Sequence, residues 1–355
     1  MSTLSGEAHN LGQGGAERQL FYIAKALIQQ ECFPDVFTFS EGGYWEAPLR
    51  ELGVRVFSIT ERSKVARFKK FVNFIKRGNY QYIHSQQFCT NLYAVAASLL
   101  GNVKCIGSIR NNVISEIRDM GLMGWFSLIL PMQIVANSKC GIENATQYFR
   151  NPKTIYFLPN VVDTDVFSPE ALRNPTNLFK VVTVGTVWKP KRIDRVIEIA
   201  EILKQRAERN IIFEIIGDGD ELNWMMALAK SKGLLDSMVF FKGRSGNVAS
   251  DYRNADALLL TSDFEGTPNV VLEAMSSGLP VVASSVGDVS RIIKNGETGF
   301  FVEHQDLMKM ANIIEMLSQN PVLCSSVGRK ARSYILENHS QVMLAQKLTQ
   351  LYSAA

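Results

Sequence analysis

The chain has 355 residues, 46% of them hydrophobic and 20% charged, which suits two domains that each bury a core and excludes a disordered chain. The formal net charge is +4, with an excess of six positive charges in residues 1–160 and of two negative charges in the rest. The front half therefore favours an anionic partner, and nothing in so mild a surplus points to nucleic acid.

Taken in chain order, "MSTLSGEAHNLGQGG" holds no apolar core of the signal-peptide kind. It ends on Gly12, Gly14 and Gly15, which precede a helix-like pattern. Glycines there let a backbone approach a phosphate, and the helix start supplies N–H donors; a plain helix start is the ordinary alternative. "VRVFSI", Val54 to Ile59, reads as a buried strand. "ERSKVARFKKFVNFIKRGNY" reads as a helix with Phe68, Phe71, Val72 and Ile75 on one face. Arg62, Lys64, Arg67, Lys69, Lys70, Lys76 and Arg77 make its other side basic, suited to solvent or to anionic lipid headgroups. The strands "YQYIHS", Tyr80 to Ser85, and "VKCIGSI", Val103 to Ile109, put His84 at one strand end and Arg110 and Asn111 at the next. "MGLMGWFSLILPMQIV", Met120 to Val135, is shorter than the roughly 20 residues a membrane span needs and contains Pro131, so a soluble or peripheral protein is expected. Within it, Trp125 and Phe126 would suit an interfacial anchor. "QIVANS", Gln133 to Ser138, is the next strand.

The aperiodic stretch "LPNVVDTDVFSPEALRNPTNL" reads as a linker and puts a domain boundary near residue 175. Strands then resume as "KVVTVG" (Lys180–Gly185), "IIFEIIG" (Ile211–Gly217), "MVFFKG" (Met238–Gly243), "ALLLTS" (Ala257–Ser262) and "PVVAS" (Pro280–Ser284), alternating with helices. Such alternation implies doubly wound parallel sheets, which bind ligands at the carboxyl ends of their strands. "ALLLTSDFEGTPN" sets Glu265 in a loop at such an end, and Glu273 lies one turn into the following helix-like segment. Two hydroxyls of a vicinal diol would satisfy a carboxylate there; spacing alone reads equally as surface charge. Cys32, Cys89, Cys105, Cys140 and Cys324 are scattered without a CxxC pair, which argues against a zinc knot or a disulfide framework and for a reducing, cytoplasmic compartment.

"EGTPNVVLEAMSSGLPVVASSVGDVSRIIKNGETGFFV" resembles glycosyltransferase family 4, the retaining enzymes that use nucleotide-sugar donors. The likeness continues through "VVTVGTVWKPKRID", "IIGDGDE" and "SDYRNADALLLTS", and reaches the front half at "GGAERQL" and "LPNVVDTDVFSP". It implies a GT-B fold: an acceptor-binding Rossmann-like domain over 1–175, a nucleotide-sugar-binding one over 176–335, a cleft between them, and a terminal helix over 336–355 crossing back. It implies that Glu265 holds donor-sugar hydroxyls beside Gly266, Thr267 and Asn269, and that Glu273 holds the ribose. Lys191 would face the donor diphosphate, with Gly14 and Gly15 also at the donor. The family's diphosphate Arg is replaced here by Thr186, and Lys189 or Arg192 would have to compensate. Gly243 and Arg244 would lie near the base, Arg110 would be catalytic with Glu265 and Lys191, close to the reacting centre, and Asn111 and His84 would lie on the acceptor side. Glu17 and Arg18 are read as structural. The donor is expected to be a UDP-sugar, with GDP left open, and the acceptor a saccharide or lipid-linked cell-envelope intermediate at the inner face of the membrane; no metal or other cofactor is implied. Relatives open with an apolar strand before the glycine loop, and "MSTLSGEAHNLGQ" offers none, so the first strand is read as missing, either by truncation or because the front sheet is rearranged. That gap, with Thr186, leaves a catalytically degenerate binding or scaffold protein as the rival reading. A sugar-nucleotide epimerase on the same fold is a further rival that the motif disfavours.

Overall fold

Residues 3–6, 11–12, 14–148, 155–170, 177–206, 210–303 and 306–354 are described by the structure, a computed structural model. The chain forms two units, Met1–Val161 with Gln341–Ala355, and Val162–Ser340.

The first unit is built on seven parallel strands: β1 Thr3–Gly6, β2 Asp35–Thr38, β3 Arg55–Ser58, β4 Tyr82–Ser85, β5 Lys104–Ile109, β6 Gln133–Ala136 and β7 Ile155–Phe157. Their order is β3-β2-β1-β4-β5-β6-β7. The expectation of a missing first strand is corrected here. Thr3–Gly6 lies inside the sheet, third of its seven strands, with Leu4 in register with Asp35 on one side and Ile83 on the other. Its segment "TLSG" carries a single large apolar residue, so no periodicity marks it; pairing to two neighbours makes it a strand. Strand β2 opens on Asp35, a charge only 3% exposed. Arg55 holds that carboxylate through two hydrogen bonds of 2.8 and 2.7 Å, and the Tyr80 hydroxyl also donates to it. Burial and the Asp35 carboxylate together push the Tyr80 hydroxyl well above its ordinary pKa. The helix Gln341–Ala354 belongs to this unit, where Leu344, Leu348, Leu351 and Tyr352 share a core with Tyr22, Ile23, Tyr82 and Ile106.

The second unit has six parallel strands: β8 Phe179–Val184, β9 Ile211–Ile216, β10 Val239–Gly243, β11 Ala257–Leu260, β12 Val281–Ser284 and β13 Phe300–Val302. Their order is β10-β9-β8-β11-β12-β13. Alternate residues go to opposite faces. Val181, Leu259 and Val282 join one core, while Val182, Val184, Leu258, Leu260, Val281 and Ala283 join the other. Helices cover both faces, which is why these strands read as unbroken apolar runs. The position near 175, where composition sets the domain boundary, lies outside the described residues. Val162 and Phe167, ahead of it, pack into the second unit's core. No helix among the described residues is long and apolar enough to cross a membrane.

Candidate active site

In the second unit the strand order reverses between β8 and β11, and a doubly wound sheet opens a crevice at the carboxyl ends of two such strands. The loops leaving β8 and β11 carry Lys191 and Glu265. After β8, Gly185 takes φ +142°, and Gly217 after β9 takes φ +152°, in the region that favours glycine. A Cβ on Gly217 would overlap the Gly185 carbonyl oxygen, so these two strand ends approach as only glycine allows. The chain then makes a 3-10 turn, Lys189–Lys191, shaped by Pro190. This lays the Lys191 side chain alongside Gly185 and its Nζ 2.6 Å from Glu265 Oε1. The Ser262 hydroxyl donates to the same oxygen at 2.8 Å. A primary ammonium and a carboxylate, both mostly shielded from water, thus meet at the switch point.

Glu265 runs into Gly266, Thr267, Pro268 and the helix Asn269–Ser276. The first turn of that helix leaves backbone N–H groups without intrahelical partners. Behind the loop, Asp288 donates its N–H to the Gly266 carbonyl at 2.9 Å. Gly287 has φ +54°, and a Cβ there would overlap the carbonyl oxygens of Glu265 and Gly266. Gly287→Ala is therefore expected to lower stability by about 1–3 kcal/mol, visible as a lower urea midpoint with unchanged slope. Glu273 is 3% exposed among Val271, Leu272, Ala274 and Met275, which are fully buried. A carboxylate in such a place must be hydrogen-bonded. The Tyr252 hydroxyl, from a neighbouring helix, donates to its Oε2 at 3.2 Å.

The remaining expected donor-side residues are spread around this centre. Thr186 and Lys189 are exposed. Arg192 adopts φ 52°, ψ 50°, the left-handed region, and gives its guanidinium to Asp194 at 2.7 Å and to Asp263 at 3.2 Å. The hydrogen bonds it donates to those carboxylates, Asp194 foremost, hold its pKa above the ordinary arginine value. Its charge is thus taken up by protein, whereas the sequence reading considered it as a replacement for the arginine absent at Thr186. Gly243, φ +67°, accepts from the Gly217 N–H at 2.8 Å and has open space where a Cβ would stand. Arg244 is exposed and pairs loosely with Asp218 at 3.3 Å.

The first unit has its own switch point, between β1 and β4. Gly14 caps the helix Gly15–Ile28, and the Glu17 carboxylate folds over Gly14 where a Cβ would otherwise stand. Burial pushes Glu17 up, while the Arg110 charge and a hydrogen bond from Gln87 pull it down. Arg110, after β5, donates to Gln86 Oε1 at 2.7 Å and to Asn160 Oδ1 at 3.4 Å. Its buried Nε has no hydrogen-bond partner among the described residues, and burial brings its pKa down to about 10. Asn111 is exposed and donates to Glu116 at 3.5 Å. Burial pushes Glu116 up to about 7.

His84 is 2% exposed, with Nδ1 2.9 Å from the Tyr352 hydroxyl and Nε2 3.4 Å from Ser108 Oγ. Burial, aided by the Arg110 charge, depresses it to about 3. The folded protein therefore keeps His84 neutral while the unfolded chain protonates it near 6.5. Stability from this group is complete above 6.5 and is lost as pH falls through that value toward 3. The urea midpoint is expected to fall from pH 7 to pH 5, and to fall less in His84→Gln.

Among the described residues, no group of three or more His, Cys, Asp or Glu side chains is placed to hold a metal ion. Asp263, Arg195, Tyr252, Gly217 and Gly287 belong to this architecture and were not singled out from sequence. The signal for Gly217 and Gly287 is a glycine just past a strand end; Arg195 and Tyr252 sit in helices where nothing local marks them.

The family model for Glycosyl transferases group 1 matches residues 167–334, and the model for Glycosyltransferase Family 4 matches residues 13–166. The chain belongs to glycosyltransferase family 4. This glycosyltransferase is 24% identical over 300 residues to the Escherichia coli UDP-Gal:alpha-D-GlcNAc-diphosphoundecaprenol alpha-1,3-galactosyltransferase, covering 78% of this chain and 76% of that one. It is 30% identical over 165 residues to the poly(ribitol-phosphate) alpha-N-acetylglucosaminyltransferase of Staphylococcus aureus strain COL, 46% of this chain and 33% of that one. Its fold matches the crystal structure of Anabaena Alr3699/HepE in complex with UDP and glucose, with a TM-score of 0.86 at 18% identity over 100% of both chains. The fold of this glycosyltransferase is GT-B, with two Rossmann-like units.

Proposed function

We propose that this glycosyltransferase takes a sugar from a UDP-sugar and moves it, with retention at the anomeric carbon, to a hydroxyl of a lipid-linked or polysaccharide intermediate of the cell envelope. The observation that carries the reading is the Lys191–Glu265 pair at the β8/β11 switch point, with Glu273 buried in the helix that follows. In this reading Glu265 accepts from donor-sugar hydroxyls, and Glu273 accepts from the ribose diol. Lys191 and the backbone N–H groups of Gly266, Thr267 and Asn269 face the donor, and the ammonium offsets charge that builds on the leaving diphosphate. The UDP in the Anabaena complex and the UDP-sugar in the E. coli relative's name favour uridine. The names of the E. coli and S. aureus relatives, a diphosphoundecaprenol and a poly(ribitol-phosphate) substrate, favour an envelope acceptor.

The first unit is assigned to the acceptor, with Arg110 and Asn111 at strand ends. Peripheral membrane contact fits its surface. Leu122, Met123, Trp125 and Phe126 are exposed on the helix Leu122–Ile129, and the helix Lys64–Arg77 is basic on its outer side. The test is incubation of the purified protein with UDP-sugars and undecaprenyl-diphosphate-linked sugars, with the product's anomeric configuration read by NMR. Transfer with retention supports the reading. Donor conversion without acceptor, or an inverted product, refutes it.

A further inference from the structure

Lys191 and Glu265 come from loops 74 residues apart in sequence, so a contact of 2.6 Å between their side chains needs something that holds the two loops in register. Asp263, two residues before Glu265, sits at the centre of such a device. Its Oδ1 accepts from Arg195 Nη2 at 2.7 Å and its Oδ2 from Arg192 Nη1 at 3.2 Å. Its backbone N–H donates to the Pro190 carbonyl at 2.8 Å. Thr261 adds three bonds: Oγ1 donates to the carbonyls of Lys191 and Arg192 at 3.1 and 2.9 Å, and its own carbonyl accepts from Arg195 Nη1 at 2.9 Å.

The charges decide what this cluster needs. Two guanidinium groups face two carboxylates, Asp194 and Asp263. Arg195 is 6% exposed, so its charge depends on Asp263. Arg192 occupies a left-handed backbone conformation, disfavoured for any residue with a Cβ, directly after Lys191. The grip of Asp263 and Asp194 on its side chain holds that turn, and the turn decides where the Lys191 side chain departs.

We propose that Asp263 is a positioning residue of the transfer reaction: it clamps Arg192 and Arg195 and thereby sets the Lys191 ammonium against Glu265, without itself touching the donor. The proposal rests on the donor-site reading above. It assigns Asp263, Arg192 and Arg195 a shared task that neither their spacing nor the family motif states.

The test uses the full chain and the variants Asp263→Asn, Asp263→Glu and Lys191→Met. Asp263→Asn is expected to lower kcat about 100-fold, the scale of a small misplacement at a reacting centre. Affinity for UMP, which lacks the second phosphate, is expected to stay within about twofold, since groups acting on a different part of the ligand change independently. In the Lys191→Met background the same substitution is expected to cost little more, because Asp263 acts through Lys191. Asp263→Glu, which keeps the charge, should restore much of the loss. A donor-independent readout is acetic anhydride labelling of Lys191, followed by peptide mass spectrometry, which should rise in Asp263→Asn. If Asp263→Asn does not fold, Arg192→Lys carries the same expectations. Unchanged kcat and labelling would overturn the clamp, as would UMP affinity falling in step with kcat. A wild-type protein that binds no UMP or UDP-sugar, yet shows increased labelling in the variant, would sink the donor-site reading and leave the clamp standing.

Discussion

Glu273→Ala is expected to abolish the rise in melting temperature that UDP produces, and to weaken UDP binding at least 100-fold. Each hydrogen bond from a ribose hydroxyl to a charged carboxylate contributes about 1.5–3 kcal/mol, so two together exceed two powers of ten in Kd. A ligand stabilises only by what it binds, so the melting shift should vanish at concentrations that saturate the wild type. The substitution also removes a buried side chain next to Tyr252, which alone would lower stability. Glu273→Gln separates the two effects. It keeps the volume and an oxygen for Tyr252 while removing the charge, and it should retain most of the stability and lose most of the affinity. An unchanged UDP shift in either variant would rule out the ribose assignment.

Glu265→Ala is expected to lower kcat/KM for sugar transfer about 100-fold or more while leaving UDP affinity within about threefold. Two losses combine. The donor-sugar hydroxyls lose a charged acceptor, and Lys191 loses the carboxylate that holds it at 2.6 Å. A cation aimed at the developing charge of a leaving group is worth roughly 100- to 1000-fold in rate. A displaced Lys191 therefore hurts the transition state more than the ground state, which appears in kcat and less in KM. The measurement is steady-state transfer from a UDP-sugar with a lipid-linked acceptor, set beside UDP binding by calorimetry. Equal losses in transfer and in UDP binding would mean that Glu265 serves the nucleotide and not the sugar. Glu265→Gln should be intermediate, since its amide oxygen still accepts but carries no charge for Lys191.

Much of the second unit was legible from residues alone. "KVVTVG", "IIFEIIG", "ALLLTS" and "PVVAS" are strands because sheets covered on both faces need unbroken apolar runs, and such runs stand out against amphipathic helices. The loop position of Glu265 followed from the rule that parallel sheets bind at strand carboxyl ends, and the family motif supplied its expected chemistry. Four strands escaped. β1 has one large apolar residue, β2 opens on a buried aspartate, and β7 and β13 are three residues long. In each the pattern is too short or too polar to show a period, and pairing to neighbouring strands decides the conformation.

The amino-acid sequence by itself determined the class of fold, the alternation of strand and helix, and which loops carry carboxylates, because these depend on local periodicity and turn chemistry. Only the tertiary structure decided which of those groups meet. It joined Lys191 to Glu265 across 74 residues, committed Arg192 to Asp194 and Asp263, enclosed His84 between Tyr352 and Ser108, and paired Thr3–Gly6 between two strands inside a sheet. The physical reason is that contacts between distant segments follow from strand order and from the charge and space each buried group must share, and neither is written in any one stretch of chain.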